Sequence, residues 1–355
     1  MSCLSCRRTL GHSPRNPYAA YSIVATHCSL GFSGCHLVMF TFVIRMLEWT
    51  FQKDPLKRHL RPSGSSPSIL MDALDLSTNM RGVGWIWSKS FHFPPDKCPT
   101  SCPWFIIYVF LSALFHSFIC GVIQLAIRAF LPETFTVLSG GTIFDPTLPP
   151  LIRYIRSSVL SILVGFSIYT LMQTIYNLGT FFSVAVLQQD PAQWPPVFYE
   201  PWNADSLRDF WGYRWHHLLR RTFIVVGGWS LGSLFGYVRF VAGTFIGSGI
   251  YHNIVVIMIN QNVEWWCMTL SFGMMGVSVI LELMFTWMAG RRVSGWMGRA
   301  WMTAWLLVWG NVMVDGLARA GMFASAGAFG TAAPVRGIVE HYTTAFDRWL
   351  RACGS

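Results

Sequence analysis

Charge is what this chain has least of. Only 12% of its 355 residues are Asp, Glu, Lys or Arg, while 53% are hydrophobic; a soluble domain carries about twice that charge. Too few ionic groups remain to cover a solvated exterior, which excludes an ordinary soluble fold. Repeated cysteine spacing is missing too. The 9 cysteines include one lone CxxC (Cys3 and Cys6) and a "CPTSC" (Cys98, Cys102) with no histidine set nearby. Neither a disulfide framework nor a metal site is expected from such spacing. The opening residues through "SPRNPYAA" lack the apolar core of a cleavable signal peptide. No internal repeat of the kind that marks many transporters is visible. The net charge of +10 does not form a stripe interleaved with stacking aromatics, so nucleic acid is not an expected partner.

What is present is a series of long apolar runs with basic clusters between them. Arg153 and Arg156, Arg220 and Arg221, and Arg291, Arg292 and Arg299 flank such runs. Charge placed this way sets topology, contacts anionic head groups and attracts a phosphate-bearing cosubstrate. Spans are expected at Tyr21–Ile44, Pro103–Ile127, Ser157–Leu187, Tyr237–Ile259, Trp265–Ala289 and Ala300–Phe323. "TFIVVGGWSLGSLFGY" is short and Gly-rich, as a re-entrant or interfacial piece would be. The expected fold is all-α: a polytopic integral membrane bundle of about six to eight helices with an interfacial amphipathic helix. Residues 1–78 form an N-terminal segment holding the first span and the polar loop "QKDPLKRHLRPSGSSPS"; 79–323 form the core; 324–355 form a tail, small-residue-rich and then polar.

Two stretches carry chemistry. In "GTFIGSGIYHNIVV", His252 lies inside an apolar run, where an ionisable side chain faces protein or trapped water rather than lipid. Helical spacing puts Thr244, Ser248 and His252 on one face, with Tyr251 beside them. A structural alternative is a histidine hydrogen-bonded across a helix interface. The second stretch, "SLRDFWGYRWHHLL", packs ionisable groups and aromatics into fourteen residues. If 205–221 is one helix, Asp205, Asp209, Gly212, His216 and Arg220 share a face, and Trp211, Trp215 and Leu218 another. Asn203, Asp205 and Ser206 are candidate N-caps, and Gly212 leaves room for a substrate or backbone. The alternative here is an interfacial anchor helix without chemistry. Glu282, a carboxylate within an apolar run, needs a partner. His116 in "LFHSFI" is claimed by no motif.

"SLRDFWGYRWHHLLR" resembles the S-L-x-D-F-W-G-R-R-W-[HN] motif of the wax synthase-like branch of the membrane-bound O-acyltransferases, and "FIGSGIYHN" resembles that branch's F-x-x-S-G-x-x-H. His252 follows His216 by 36 residues, in the family's order. "NMRGVGWIW" and "LSFGMMGVSVILE" are similar to supporting elements, so the resemblance runs from about Asn79 to Trp309, within the 79–323 core. Tyr213 stands where the family usually has Arg, His217 where Gln is common, and Asn253 where plant members have Glu. The amino-terminal region is short by a span or two. The resemblance implies transfer of an acyl group, acetyl by similarity to fungal secondary-metabolite enzymes, from an acyl-CoA cosubstrate to a lipophilic alcohol such as a terpenoid. No permanently bound cofactor is implied, and the site is expected in the endoplasmic reticulum membrane.

Carried onto this chain, the resemblance makes His252 the general base and His216 the second active-site residue. Asp209 is then a candidate to fix the His216 tautomer. Arg208, Arg214, Arg220 and Arg221, with Trp215, are candidates for holding coenzyme A, although Trp211 and Trp215 read first as packing residues. Thr244, Ser248, Tyr251 and Glu282 are the substrate-side candidates. Competing readings are a long-chain wax ester synthase, a membrane terpenoid-modifying enzyme without acyl donor, and a non-catalytic transporter.

Overall fold

The computed structural model describes residues 39–50, 56–59, 68–88, 101–131, 140–259, 264–325 and 333–353. Among these residues there is no strand; one isolated bridge joins Arg58 to Trp85. The helices are α1 (39–50), α2 (Ile69–Thr78), α3 (Cys102–Phe130), α4 (Pro150–Ala185), α5 (Leu207–Asp209), α6 (Arg220–Phe223), α7 (Ser230–Phe235), α8 (Tyr237–Ile259), α9 (Trp265–Ala289), α10 (Gly295–Arg319), α11 (Met322–Ser325) and α12 (Ala333–Ala352). Four of them, α3, α4, α8 and α9, are long and apolar enough to cross a membrane. The all-α polytopic expectation therefore holds, and each of the four overlaps a span expected from sequence. Of Tyr21–Ile44, the part before residue 39 lies outside the described residues.

Contacts along the helices fix their directions. Phe110 meets Phe181, Cys120 lies against Ser167, and Arg156 donates to the Phe130 carbonyl, so α3 and α4 are antiparallel. Asn253 bonds Thr269 and Gly276 faces Phe245, so α8 and α9 are antiparallel. Trp305 on α10 donates to the Met274 carbonyl of α9, and Ser161 on α4 donates to Asn311 of α10 at 2.6 Å. Without a hydrophobic driving force between helices in lipid, small residues and interhelical hydrogen bonds supply much of this cohesion.

The Gly-rich segment doubles back on α8. It runs through α6, a π-helical stretch Ile224–Trp229 and α7, then reverses at Gly236, whose φ of 86° suits glycine. A Cβ on Gly227 would lie 1.9 Å from the Gly243 carbonyl oxygen, so the two backbones touch. That close approach presses Phe223 against Tyr251 and His252 (ring centroids 5.5 and 5.9 Å).

The tail holds more order than a polar segment would. Residues Ala333–Ala352 form an amphipathic helix lying across the ends of α3 and α4. Asp347 accepts from Arg156 at 2.6 Å, Arg351 reaches Asp145 at 2.9 Å, and Phe346 meets Phe130 edge to face.

Candidate active site

A cavity of about 1330 Å³ lies among these helices. Drug-sized ligand pockets run about 300–1,000 Å³, so this one has room for two substrates. It follows α8 from Tyr237 to Val256, roughly 28 Å at a helical rise of 1.5 Å per residue. Its two ends differ. Near Tyr237 and Thr286 the wall includes Arg208, Arg292 and Ser294; near Val256 and Met268 it is built from Ile127, Val164, Met313, Leu317 and Phe323.

His252 lines this cavity, on a regular helix, one turn after Ser248. Its Nδ1 lies 2.7 Å from the Ser248 carbonyl oxygen and 3.4 Å from Ser248 Oγ. A carbonyl only accepts, so Nδ1 carries the proton and, in the neutral ring, Nε2 keeps its lone pair. Among the described residues Nε2 has no hydrogen-bond partner. Phe272 stacks on the imidazole (centroids 4.4 Å, planes 24° apart) and Phe223 closes another side. Thr244 also lines the cavity, with its hydroxyl donating to the Phe240 carbonyl at 2.9 Å. The stripe expected at i, i+4 and i+8 is therefore present.

The segment holding His216 is not one helix. Leu207–Asp209 is a single turn, Phe210–Arg214 widens to a π-turn, and Trp215 leaves the helical region at ψ 156°. The shared face expected for Asp205 to Arg220 does not form as a helical stripe, because the chain is pulled out of register at Arg214. That residue's carbonyl accepts from Tyr199 N at 2.9 Å, and its Nε donates to Asp209 Oδ2 at 2.5 Å. Asp209 is thus engaged by Arg214 and does not fix the His216 tautomer, as its spacing had implied. Wide turns of this kind occur often at functional sites.

What anchors the segment is Glu282. This carboxylate of α9 is 4% exposed and accepts from the backbone N–H of Leu207 (2.8 Å), of Arg208 (2.9 Å) and from Trp301 Nε1 (3.2 Å). Ser206 Oγ takes the next N–H, that of Asp209, at 3.0 Å. The three leading donors of the turn are all satisfied, two of them by a negative charge at a helix N-terminus. Glu282 lines the cavity, but its oxygens are taken; it positions the motif rather than binding substrate.

His216 lines the same cavity as His252, packed by Trp215 and Phe198 (centroids 5.8 and 5.9 Å). Burial pushes its imidazole from the ordinary histidine range down to about 3, and the positive forms of His252 and His217 add to the effect. With this shift His216 stays neutral near pH 7. His217 turns into the protein, where burial and the nearby Arg220 and Arg81 bring it down to about 4.

Of the cofactor-side candidates, Arg208, Arg214, Arg220 and Trp215 line the cavity. Arg208 is exposed at the charged end, whereas Arg220 Nη1 caps the Gly212 carbonyl at 2.9 Å. Two candidates face elsewhere. Arg221 is 6% exposed, bonds the Glu48 carboxylate and the Trp87 carbonyl, and lies over the Trp87 ring, so phosphates do not reach it. Tyr251, about 100° around the helix from His252, bonds Thr41 Oγ1 at 2.7 Å and lines a separate apolar pocket of about 450 Å³. Arg292, taken from sequence only as a topology charge, is exposed at the cavity's charged end. No spacing relates it to the two motifs. Gly212 lines the cavity with open space beside its Cα, as expected.

Residues 194–274 match the Membrane bound O-acyl transferase family. The resemblance carried by the two motifs is thereby borne out over this stretch, which holds both histidines and is similar to that family. Similar proteins include acetyltransferase ple2 of Rhodocybe pseudopiperita, 22% identical over 80% of this chain and 76% of its own length. O-Mevalon transferase yanI of Aspergillus niger is 28% identical over 42% of this chain and 34% of its own length. A probable long-chain-alcohol O-fatty-acyltransferase 8 of Arabidopsis thaliana is 33% identical over 24% of this chain and 28% of its own length. The matches to yanI and the plant protein thus span less than two thirds of those proteins. No solved structure matches the chain.

Proposed function

We propose that the protein transfers an acyl group from acyl-CoA to the hydroxyl of a lipophilic acceptor, with both substrates meeting in the large cavity. The observation that carries this reading is the fixed tautomer of His252. Its Nδ1–H is committed to the Ser248 carbonyl, which leaves the Nε2 lone pair to act as the base toward a substrate in the cavity that this residue lines.

The chemistry follows from that placement. The acceptor hydroxyl gives its proton to His252 Nε2 as its oxygen attacks the thioester carbonyl carbon. The tetrahedral intermediate collapses with cleavage of the C–S bond, and the protonated His252 returns the proton to the departing thiolate. Ester and free thiol result, with the histidine restored. His216, held neutral, carries one N–H to donate to the thioester oxygen; such a donor is worth about 3–4 kcal/mol at the transition state. No covalent acyl-enzyme is required.

Arg208 and Arg292 at the charged end suit the phosphates of coenzyme A. His252 lies fifteen helical steps from Tyr237, roughly 22 Å into the cavity, a depth suited to an extended thioester-bearing arm. The apolar end suits the lipophilic acceptor. We favour acetyl as the acyl group, as the name of ple2 suggests, a terpenoid-like acceptor, and the endoplasmic reticulum as the membrane. The test is incubation of the purified protein with acetyl-CoA, longer acyl-CoAs and lipophilic alcohols, followed by mass analysis of the products. Ester formation that needs the thioester and falls away in His252→Ala supports the reading. Full activity in that variant overturns the proposed base, and preference for long acyl chains moves the assignment to wax ester synthesis.

A further inference from the structure

Seen down its axis, α12 has three faces. One packs on the protein: Leu350 is buried, and Asp347 holds Arg156 of α4 at 2.6 Å. A second, with Glu340, Thr344 and Arg348, is polar and exposed. The third is apolar yet uncovered. Ile338, Tyr342, Phe346 and Trp349, spaced i, i+4, i+8 and i+11, fall within an arc of about 80° on a regular helix. They are 40–70% exposed, and Trp349 stacks on Phe346 with centroids 5.8 Å apart. A continuous apolar strip of this kind, rimmed by charge, marks a surface that something covers.

The contacts of α12 set its depth. The apolar run of α3 ends at Ile127 and Arg128 follows; Phe346 meets α3 at Phe130, beyond that point, and Asp347 meets Arg156 in the second turn of α4. A spanning helix leaves the hydrocarbon where its apolar run gives way to charge. The protein therefore holds α12 at the boundary between acyl chains and head groups, the depth that tyrosine and tryptophan side chains favour. With Arg336, Glu340, Asp347, Arg348 and Arg351 among its twenty residues, α12 suits neither the hydrocarbon core nor open water. Arg348 is exposed, bonds the Thr344 carbonyl of its own helix at 3.4 Å, and has no carboxylate partner among the described residues.

We infer that α12 lies in the plane of the membrane interface, with the Ile338–Trp349 strip inserted among phospholipids and Arg348 reaching their phosphates. The occupant is lipid because the spanning helices on which α12 rests bring the bilayer to this level. Through Asp347 to Arg156 and Arg351 to Asp145, the anchored helix ties the adjoining ends of α3 and α4 to a fixed depth. This surface stands apart from the cavity and does not depend on acyl transfer.

The experiment uses the purified full chain in nanodiscs of palmitoyl-oleoyl phosphatidylcholine. The photoreactive residue benzoylphenylalanine replaces Tyr342, Trp349, Thr344 or Phe118, one position at a time, and the illuminated protein is digested and weighed. Phe118, exposed on the spanning helix α3, reports how strongly the probe takes up lipid within the bilayer. Thr344, two residues and so about 200° from Tyr342, samples the polar face. Phospholipid adducts at 342 and 349 comparable to those at 118, and about tenfold above those at 344, support the inference. Adducts at 342 and 349 no more frequent than at 344 overturn it. Cross-links from 342 and 349 to a second copy of the chain, in place of lipid, also overturn it and make the strip a protein interface.

Discussion

The two halves of the candidate site hold an imidazole by different means. On α8 the histidine is fixed by its own helix: the carbonyl of Ser248, one turn back, sets the tautomer, and Phe272 stacks on the ring. In the motif that begins at Ser206, nothing regular does this. A single helical turn, a π-turn and an extended residue carry His216 into the cavity, tethered by Glu282 from a helix distant in sequence. One half is local and self-sufficient, whereas the other depends on remote partners. Substitutions should therefore act differently on each.

The largest effect is expected at the local half. His252→Ala should lower kcat by about a hundredfold to ten-thousandfold, the usual worth of a general base, while elution and thermal midpoint in detergent stay close to wild type. A matching collapse of the protein would break the contrast, because it would make His252 a structural group. At the other half, His216→Ala should cost about a hundredfold in kcat and His216→Asn much less, since an amide also offers an N–H to a carbonyl oxygen. Equal losses in the two variants would remove the donor role. Next comes Glu282→Leu. It leaves the Leu207 and Arg208 N–H groups without acceptors in a dry setting, each at about 1–3 kcal/mol. Thermal stability should fall together with kcat, although the tautomer of His252 is untouched.

The smallest effect is a pH dependence belonging to the irregular half. In the unfolded chain His216 titrates near 6.5, whereas in the folded chain burial holds it down to about 3. Between these values the unfolded state binds the proton and the native state does not, so stability falls as pH drops below about 6.5 and is unaffected above it. His217 acts in the same direction down to about 4. Thermal midpoints measured from pH 7 to pH 4 should decline less steeply in His216→Asn than in wild type. Parallel curves would show that His216 is not held neutral by its surroundings.

The same contrast explains what could be read from sequence. The four spanning helices and the Thr244–Ser248–His252 stripe were legible because regular helices obey a single period. Neighbours in sequence were harder. Tyr251 and Arg221 lie next to site residues yet face away, to Thr41 and to Glu48. Glu282 announced that it needed a partner, but nothing in the chain names the N–H groups of a turn 75 residues earlier. The π-turn is invisible to a helical period, so the expected Asp209–His216 face dissolved. Arg292 belongs to no motif and enters the cavity only through packing. The α12 helix did carry a signal, since Ile338, Tyr342 and Phe346 recur at helical spacing, but its polar composition masked it.

The backbone contact between Gly227 and Gly243 has a consequence for evolvability. Any methyl group at either position would wedge the doubled-back segment off α8, and Phe223 would move with it, loosening one wall around His252. The orientation of the reactive ring is thus guarded by two missing side chains that never touch a substrate. Variation there would look conservative on paper and act on the reaction from behind.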